Sequence, residues 1–274
     1  RRKTLPDCCN PETFADVRAF HRTLPGYQPT PLVALPDLAK ELGVKGVYIK
    51  DESKRFGLNA FKALGASYAI HKLFPDGNVG LTVTATDGNH GKGMAWSTHR
   101  LGGHAVVFMP AGTVGSRVEA ILAIGDTEVT VTDLNYDGTV ATAAAYAKEH
   151  GGHLVQDTAF EGYEEVPQNI TLGYSTMAAE ALEELAALGA GEPTHTFLQA
   201  GVGSMAGGVA AYLAETCKNP PAMAVVEAWE SACVLESIRQ GQLVPIEGHT
   251  QTSIAGLNCG PPNPQVMHIF QEWA

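Results

Sequence analysis

Short apolar segments alternate with longer segments of helical periodicity along this chain, and this alternation constrains its fold more than any other feature. The apolar segments are about five residues long, the length of buried strands, and the periodic segments are long enough for helices. We expect an α/β chain with two open, mostly parallel sheets flanked by helices. The expected strands are residues 47–50, 81–85, 105–109, 128–132, 153–156, 196–199 and 224–227. The expected helices are residues 11–22, 60–74, 90–101, 116–124, 137–149, 171–188, 205–215, 231–240 and 264–274.

Composition excludes several classes of protein. The 274 residues are 45% hydrophobic and 17% charged, with a net charge of −11, which is typical of a globular chain and predicts no affinity for nucleic acid. No apolar run is long enough to span a membrane, and no signal peptide opens the sequence. The five cysteines form no C-x-x-C pair. We therefore expect a cytoplasmic protein with no membrane partner and no metal site. Its thiols are expected to be reduced, with a pair of Cys233 and Cys259 as the alternative.

A charged turn at residues 50–62 leads from one expected strand into an expected helix. Asn59 is a natural N-cap, which would make Lys62 the third residue of that helix. The positive end of the helix dipole disfavours an ammonium there and so favours the neutral amine that a nucleophilic lysine requires. Position alone favours a solvated lysine, so the interpretation depends on the other loops.

A second polar loop, T-D-G-N-H-G at residues 86–91, directly follows the expected strand 81–85. Polar turns between a strand and a helix are the usual place of ligand sites in open parallel sheets. Asn89 offers an amide that both donates and accepts, and Asp87 offers a carboxylate. Ordinary helix capping explains the same residues equally well.

A third loop, G-V-G-S-M-A at residues 201–206, also follows an expected strand. Its glycines let backbone N–H groups surround an anion at a helix N-terminus, which predicts phosphate binding. The sequence also fits G-x-G-x-x-A, and Glu227 ends the next expected strand, where a dinucleotide-binding fold places its ribose-binding acid. A nicotinamide-dependent oxidoreductase is therefore a rival interpretation.

Together the three loops resemble those of the fold-type II pyridoxal-phosphate enzymes, the family of the tryptophan synthase β chain and threonine dehydratase. The closer resemblance is to the 2,3-diaminopropionate ammonia-lyases. Four motifs carry it: K-D-E-S-K-R-F-G-L-N-A-F-K at 50–62, T-D-G-N-H-G at 86–91, Q-D-T-A-F-E-G-Y at 156–163 and Q-A-G-V-G at 199–203. The resemblance begins near Thr13, and family members continue beyond the last residue of this chain. On that basis we expect a C-terminally incomplete large domain.

The resemblance implies the cofactor pyridoxal 5'-phosphate and the α,β-elimination of D- and L-2,3-diaminopropionate to pyruvate and ammonia. Lys62 would carry the cofactor and take the Cα proton of the L-substrate, and Asp87 would take that of the D-substrate. Asp157 would hold the second amine of the substrate, although an Asx turn is an alternative role for this residue. The other implied contacts are Asn89, Gly201, Val202, Gly203, Ser204 and Met205 for the cofactor, and Thr86 and His90 for the substrate.

The resemblance also implies the domain organisation and the assembly. Residues 1–78 and 176–274 would form the large, cofactor-binding domain, and residues 79–175 the small domain. The partners would be a small amino-acid substrate and a second copy of the chain in a homodimer. Two alternatives within this interpretation are a serine or threonine dehydratase-like lyase and a catalytically impaired fragment.

Overall fold

The computed structural model describes residues 3–246 and 252–274. The helices are α1 (Pro11–Thr23), α2 (Pro36–Leu42), α3 (Lys62–Leu73), α4 (Asn89–Arg100), α5 (Gly115–Leu122), α6 (Tyr136–Glu149), α7 (Glu165–Gly173), α8 (Ser175–Ala187), α9 (Ser204–Thr216), α10 (Cys233–Gln240) and α11 (Pro264–Trp273). The strands are β1 (Leu32–Ala34), β2 (Tyr48–Lys50), β3 (Leu81–Ala85), β4 (His104–Met109), β5 (Thr127–Val131), β6 (His153–Leu154), β7 (His195–Gln199) and β8 (Ala222–Val226). Short 3₁₀ segments occur at Glu52–Gly57, Trp229–Ser231 and Ala255–Leu257.

The chain forms two compact units, Arg1–Asn59 with Tyr174–Ala274 (the first unit) and Ala60–Gly173 (the second unit). The predicted boundary between large and small domains was residue 78, whereas residues 60–78 belong to the second unit because α3 packs against α4 and α7. The chain re-enters the first unit at Tyr174, whereas the predicted boundary was residue 176. The assignment of the units to a large and a small domain stays a prediction.

The second unit contains a four-stranded parallel sheet in the order β5-β4-β3-β6. The strand β4 is apolar almost throughout and buried, as expected for a parallel strand with both faces covered. Val83, Val106 and Phe108 of the sheet pack with Ala143 and Ala147 of α6 in one apolar cluster. The expected α/β class with parallel sheets is confirmed.

The first unit contains a parallel pair, β7 and β8, and an antiparallel pair, β1 and β2. Around the first pair, α9 packs against α8 and α11. The strand β1 and the helix α2 were not predicted from the sequence, and the region 171–188 was expected to form one helix. The structure instead has α7 and α8, which are separated at Tyr174. None of the helices in the described part of the chain has the length and apolar character needed to span a bilayer.

Much of the charge in the motif at residues 50–62 serves the first unit's own structure. Arg55 and Glu180 are buried almost completely, and their side chains form two hydrogen bonds of 2.9 and 2.8 Å. Glu52 accepts from the same guanidinium, and Lys50 bonds to both Glu180 and Glu184. Buried charges are stable only when they are paired in this way. These motif residues therefore fasten the 3₁₀ segment Glu52–Gly57 to α8.

Candidate functional site

Side chains from three segments of the second unit meet at the carboxyl ends of β3 and β6. Because these strands are parallel neighbours, the loops that follow them lie at the same edge of the sheet. The loop after β3 carries Asp87 and continues into α4 with His90, and the loop after β6 carries Asp157. Lys62 begins α3, which packs against α4. Four of the predicted site residues are thereby brought together.

Close approach of α3 and α4 places Lys62 at this edge. A Cβ atom at Gly93 of α4 would lie 2.7 Å from the backbone nitrogen of Ala63 and 2.9 Å from Cβ of Lys62. Such distances are too short for a side chain, so only glycine allows the two helices to come this close. The predicted N-cap Asn59 is wrong. Its φ is +54°, and α3 begins at Lys62 itself after Phe61, which forms no side-chain cap.

Lys62 and Asp157 form the central ion pair of the site. The Nζ atom of Lys62 donates to Oδ2 of Asp157 at 2.6 Å, and the two side chains are 20% and 10% exposed. Burial by itself would raise the pKa of the Asp157 carboxyl and is the largest single effect. The charge and hydrogen bond of Lys62, together with the neighbouring His90, outweigh it and hold the pKa below its usual range. Asp157 is therefore an ionised carboxylate that binds a primary ammonium group.

The carboxylate of Asp87 lies in a more open position than that of Asp157. Its side chain is 54% exposed, with Oδ2 3.9 Å from Nη1 of Arg117 in α5. The same Nη1 donates to the backbone oxygen of Asp87 at 2.8 Å. The surrounding protein raises the pKa of Asp87, the charge of Arg117 opposes that rise, and solvent moderates both effects. A partly exposed carboxylate with a raised pKa is suited to accept a proton.

His90 is buried beside Asp157. Its Nε2 atom lies 2.7 Å from the backbone oxygen of Val155, and its Nδ1 atom lies 3.7 Å from Oδ2 of Asp157. Burial lowers the pKa of the imidazole, against the opposing charge of Asp157, which favours the neutral ring.

The remaining predicted residues of this loop differ in exposure. Thr86 is 2% exposed, and its hydroxyl oxygen accepts from the backbone N–H groups of Gly88 and Gly91. It therefore shapes the turn, and its predicted contact with the substrate stays a prediction. Asn89 begins α4 and is exposed, so its amide is accessible to a ligand.

The Q-D-T-A-F-E-G-Y motif holds Asp157 against the end of β3. The side-chain oxygen of Gln156 accepts from the hydroxyl of Thr84 at 2.9 Å and from the backbone N–H of Ala85 at 3.2 Å. The hydroxyl of Tyr163 accepts from the N–H of Gln156 and donates to the oxygen of Leu154. Both sets of contacts fix the backbone on the N-terminal side of Asp157. The alternative role predicted for Asp157, that of ordering this loop, therefore belongs mainly to Gln156 and Tyr163.

The glycine loop, residues 201–205, lies in the first unit at the N-terminus of α9. Gly203 adopts a left-handed conformation with φ +98° and offers no side chain to cap the helix. Asn263 is buried at the loop. Its backbone N–H donates to the backbone oxygen of Val202 at 2.7 Å, and its side-chain amide donates to Oγ of Ser204 at 2.9 Å. This backbone-built helix terminus suits an anionic group.

Sequence reasoning missed two residues at these sites, Arg117 and Asn263. Each lies far along the chain from the loop that it contacts, and no motif includes it. Glu227, the residue on which the dinucleotide interpretation depended, has another role. Its two carboxylate oxygens accept from the N–H groups of Val234 and Leu235 and thereby cap α10. Among the described residues, no group of three or more histidine, cysteine or acidic side chains could hold a metal ion.

Comparison with known proteins gives a consistent result. The family described as "Pyridoxal-phosphate dependent enzyme" matches residues 23–274. Diaminopropionate ammonia-lyase of Escherichia coli strain K12 is 45% identical over 276 residues, which cover 94% of this chain and 69% of the relative.

Solved structures of the Escherichia coli enzyme superpose on the whole of this chain. The complex with the aminoacrylate-PLP azomethine reaction intermediate gives a TM-score of 0.91 at 43% identity and is covered over 72% of its length. The complex with D-serine gives a TM-score of 0.91 at 42% identity and is covered over 73% of its length. In both, the match covers 100% of this chain.

Proposed function

Because the chain belongs to the pyridoxal-phosphate-dependent enzyme family, we propose that it carries out the α,β-elimination of D- and L-2,3-diaminopropionate to pyruvate and ammonia. The observation that carries this proposal is the ion pair between Lys62 and Asp157, which puts the lysine that would hold the cofactor beside a carboxylate that binds an ammonium group. The relatives named diaminopropionate ammonia-lyase support the choice of substrate. The confirmed fold class supports the family assignment.

Pyridoxal phosphate fits the residues of each unit. Its aldehyde requires a primary amine such as that of Lys62, and its phosphate requires donors such as the N–H groups at the N-terminus of α9. We assign the phosphate to Gly201, Val202, Gly203, Ser204 and Met205, and the ring to Asn89. When bound, the cofactor supplies an electron sink for the pair left at Cα.

Two groups of the second unit divide the proton transfer in this proposal. Lys62 takes the Cα proton of the L-substrate, and Asp87 takes that of the D-substrate. Two properties of Asp87 support its role, its exposed carboxylate and its raised pKa. Asp157 binds the second amine, as it binds the ammonium of Lys62 in this structure. Thr86 and His90 complete the substrate side of the site.

The alternatives are less well supported. A nicotinamide-dependent oxidoreductase requires an available acid at Glu227, whose two oxygens are engaged by the N-terminus of α10. A serine or threonine dehydratase does not require an ammonium-binding carboxylate at Asp157. A catalytically impaired fragment would bind the cofactor but would not release pyruvate from the substrate. We further propose that the enzyme is a cytoplasmic homodimer, as the family resemblance implies; sedimentation of the purified protein measures its assembly.

The test combines product assays with one pair of variants. We expect visible absorbance with pyridoxal phosphate, fixation of the cofactor on Lys62 by borohydride, and release of pyruvate and ammonia from both enantiomers. Asp87→Asn should lower activity on the D-enantiomer by about 10²- to 10⁴-fold, the contribution of a general base, and leave the L-activity nearly unchanged. The matched control is Asp76→Asn, in an exposed turn. Equal loss for both enantiomers would show that Asp87 is not the D-specific base.

A further inference from the structure

The hydrogen bond of His90 to Val155 determines which nitrogen of the ring carries a proton. The backbone oxygen of Val155 can only accept, so Nε2, at 2.7 Å, must be the donor. The side chain is 6% exposed, and burial favours its neutral form. In a neutral ring with hydrogen on Nε2, Nδ1 carries a lone pair and accepts hydrogen bonds.

This acceptor is buried and points toward another acceptor. Nδ1 of His90 has no hydrogen-bond partner among the residues that the structure describes, and it lies 3.7 Å from Oδ2 of Asp157. The charged groups that act on the ring are Asp157, Lys62 and Asp87. A lone pair beside a carboxylate requires a donor that serves both, and a primary ammonium, with three N–H bonds, is such a donor. Lys62 already supplies an ammonium to the Asp157 oxygen at 2.6 Å.

We propose that Oδ2 of Asp157 and Nδ1 of His90 form a two-acceptor site for a primary ammonium, which binds the β-ammonium of the substrate during turnover. The ammonium of Lys62 bonds to the Asp157 half of this site in the structure and is replaced there by the substrate. His90 is thereby a specificity-determining residue that touches the substrate. The inference rests on the proposed function, since it names the group that recognises the second amine.

The site also controls the protonation of the leaving group. When the Cβ–N bond breaks, its electron pair goes to nitrogen, and the pair from the Cα–H bond forms the new C=C bond. A β-ammonium then departs as neutral ammonia with the three protons that it already holds. A neutral β-amine would need one more proton to leave as ammonia. Two acceptors, one of them charged, favour the ammonium form. Serine carries no such charge and gains less from the site.

Two substitutions separate the functions of the two ring nitrogens. The amide of His90→Gln can replace the Nε2 donor to Val155 but supplies no acceptor at Nδ1, whereas the amide oxygen of His90→Asn can replace Nδ1. We expect His90→Gln to lower kcat/KM for diaminopropionate by about 10- to 100-fold, as for loss of one charge-assisted hydrogen bond. Its kcat/KM for serine should change less than about threefold. His90→Asn should recover most of the lost selectivity. The control is His150→Gln, an exposed histidine of the same unit.

The ring can also be observed directly in the wild-type protein. The long-range proton–nitrogen NMR spectrum of nitrogen- and carbon-labelled protein distinguishes the tautomers, and the His90 ring signals are assigned by connecting them to the backbone resonances of His90 in the wild-type protein. We expect hydrogen on Nε2 alone near neutral pH. Hydrogen on Nδ1 would overturn the inference even if neither variant folds.

The outcomes separate this inference from the proposed function. If the wild-type protein releases no pyruvate from diaminopropionate, the proposed function fails whatever the state of His90. If the wild-type protein is active but His90→Gln keeps the wild-type ratio of diaminopropionate to serine activity, the two-acceptor site is wrong and the function stands.

Discussion

The two candidate ligand sites of this molecule are formed by different chemical groups. In the second unit, charged side chains at the ends of β3 and β6 form the site, and each of Lys62, Asp87 and Asp157 has its own chemical property. In the first unit, the glycine loop presents backbone at the N-terminus of α9. A backbone site recognises an anion but not the molecule that carries it. We therefore expect the identity of the substrate to be determined by the second unit, where one substitution changes the chemistry.

The largest effect should come from the second unit, at Lys62. Lys62→Ala removes the amine that we propose holds the cofactor and takes the proton, so we expect a loss of at least about 10³-fold for both enantiomers. Borohydride should no longer attach the cofactor, while the glycine loop should still bind it reversibly. Peptide mass after reduction and spectrophotometric titration measure the two properties.

Lys72→Ala is the matched control, because Lys72 is an exposed lysine of the same helix. If Lys62→Ala also abolished reversible binding, the affinity for the cofactor would reside in the amine, and the division between the two sites would fail.

The first unit should respond to added volume rather than to a change of charge. Gly203→Ala forces a left-handed conformation on a residue with a side chain, and the new Cβ would lie 3.1 Å from atoms of Phe270 and Val266. We expect a loss of about 1–3 kcal/mol in the free energy of unfolding and weaker cofactor binding. Chemical denaturation and cofactor titration measure these effects.

Gly115→Ala is the control in the second unit. Its added methyl would meet nothing within 4 Å, and its backbone needs no positive φ. The ratio of D- to L-activity at saturating cofactor should be unchanged in Gly203→Ala, since neither base is altered. A changed ratio would mean that the loop contributes to more than the binding of an anion.

Local patterns predicted most of this architecture. The strand β3 was predicted with the same bounds as observed, and the three loops were predicted because polar turns at the ends of apolar strands are visible in the sequence. Asn59 was mistaken for an N-cap because its side chain suits that role, whereas the backbone bends there with a positive φ. The break between α7 and α8 was missed because apolar periodicity continues through Tyr174.

The partners of the site residues could not be predicted. Arg117 reaches Asp87 from α5, and Asn263 reaches Ser204 across 59 positions. Such contacts depend on packing of distant segments, and a single arginine or asparagine in a helix or turn carries no sign of them. For the same reason, the sequence could not show that Nδ1 of His90 is an acceptor, because this depends on the hydrogen bond of Nε2 to the carbonyl of Val155. The candidate site residues could therefore be predicted from the sequence, whereas their hydrogen-bond partners and the direction of their pKa shifts required the structure.

The smallest expected effect is on the pH dependence of activity, and it distinguishes Asp87 from Lys62 within the second unit. Asp87 acts as a base only when it is ionised. Its partial burial by the surrounding protein raises its pKa, and the positive charge of Arg117 opposes that rise. Arg117→Met removes the opposition, so the pKa of Asp87 should rise further. The acid limb of the D-activity profile should then move to higher pH, while the L-activity profile stays in place.

The shift should be less than about one pH unit, because the side chains of Asp87 and Arg117 are 54% and 40% exposed and solvent screens their interaction at 3.9 Å. Measuring kcat/KM against pH for both enantiomers separates this electrostatic effect from loosening of the loop, which would lower the plateau without moving the limb. Arg117→Lys keeps the charge and should restore the limb, and Arg100→Met is the control at an exposed arginine of α4. Equal shifts for both enantiomers would mean that the limb reports a group shared by the two reactions, and Asp87 would lose its separate role.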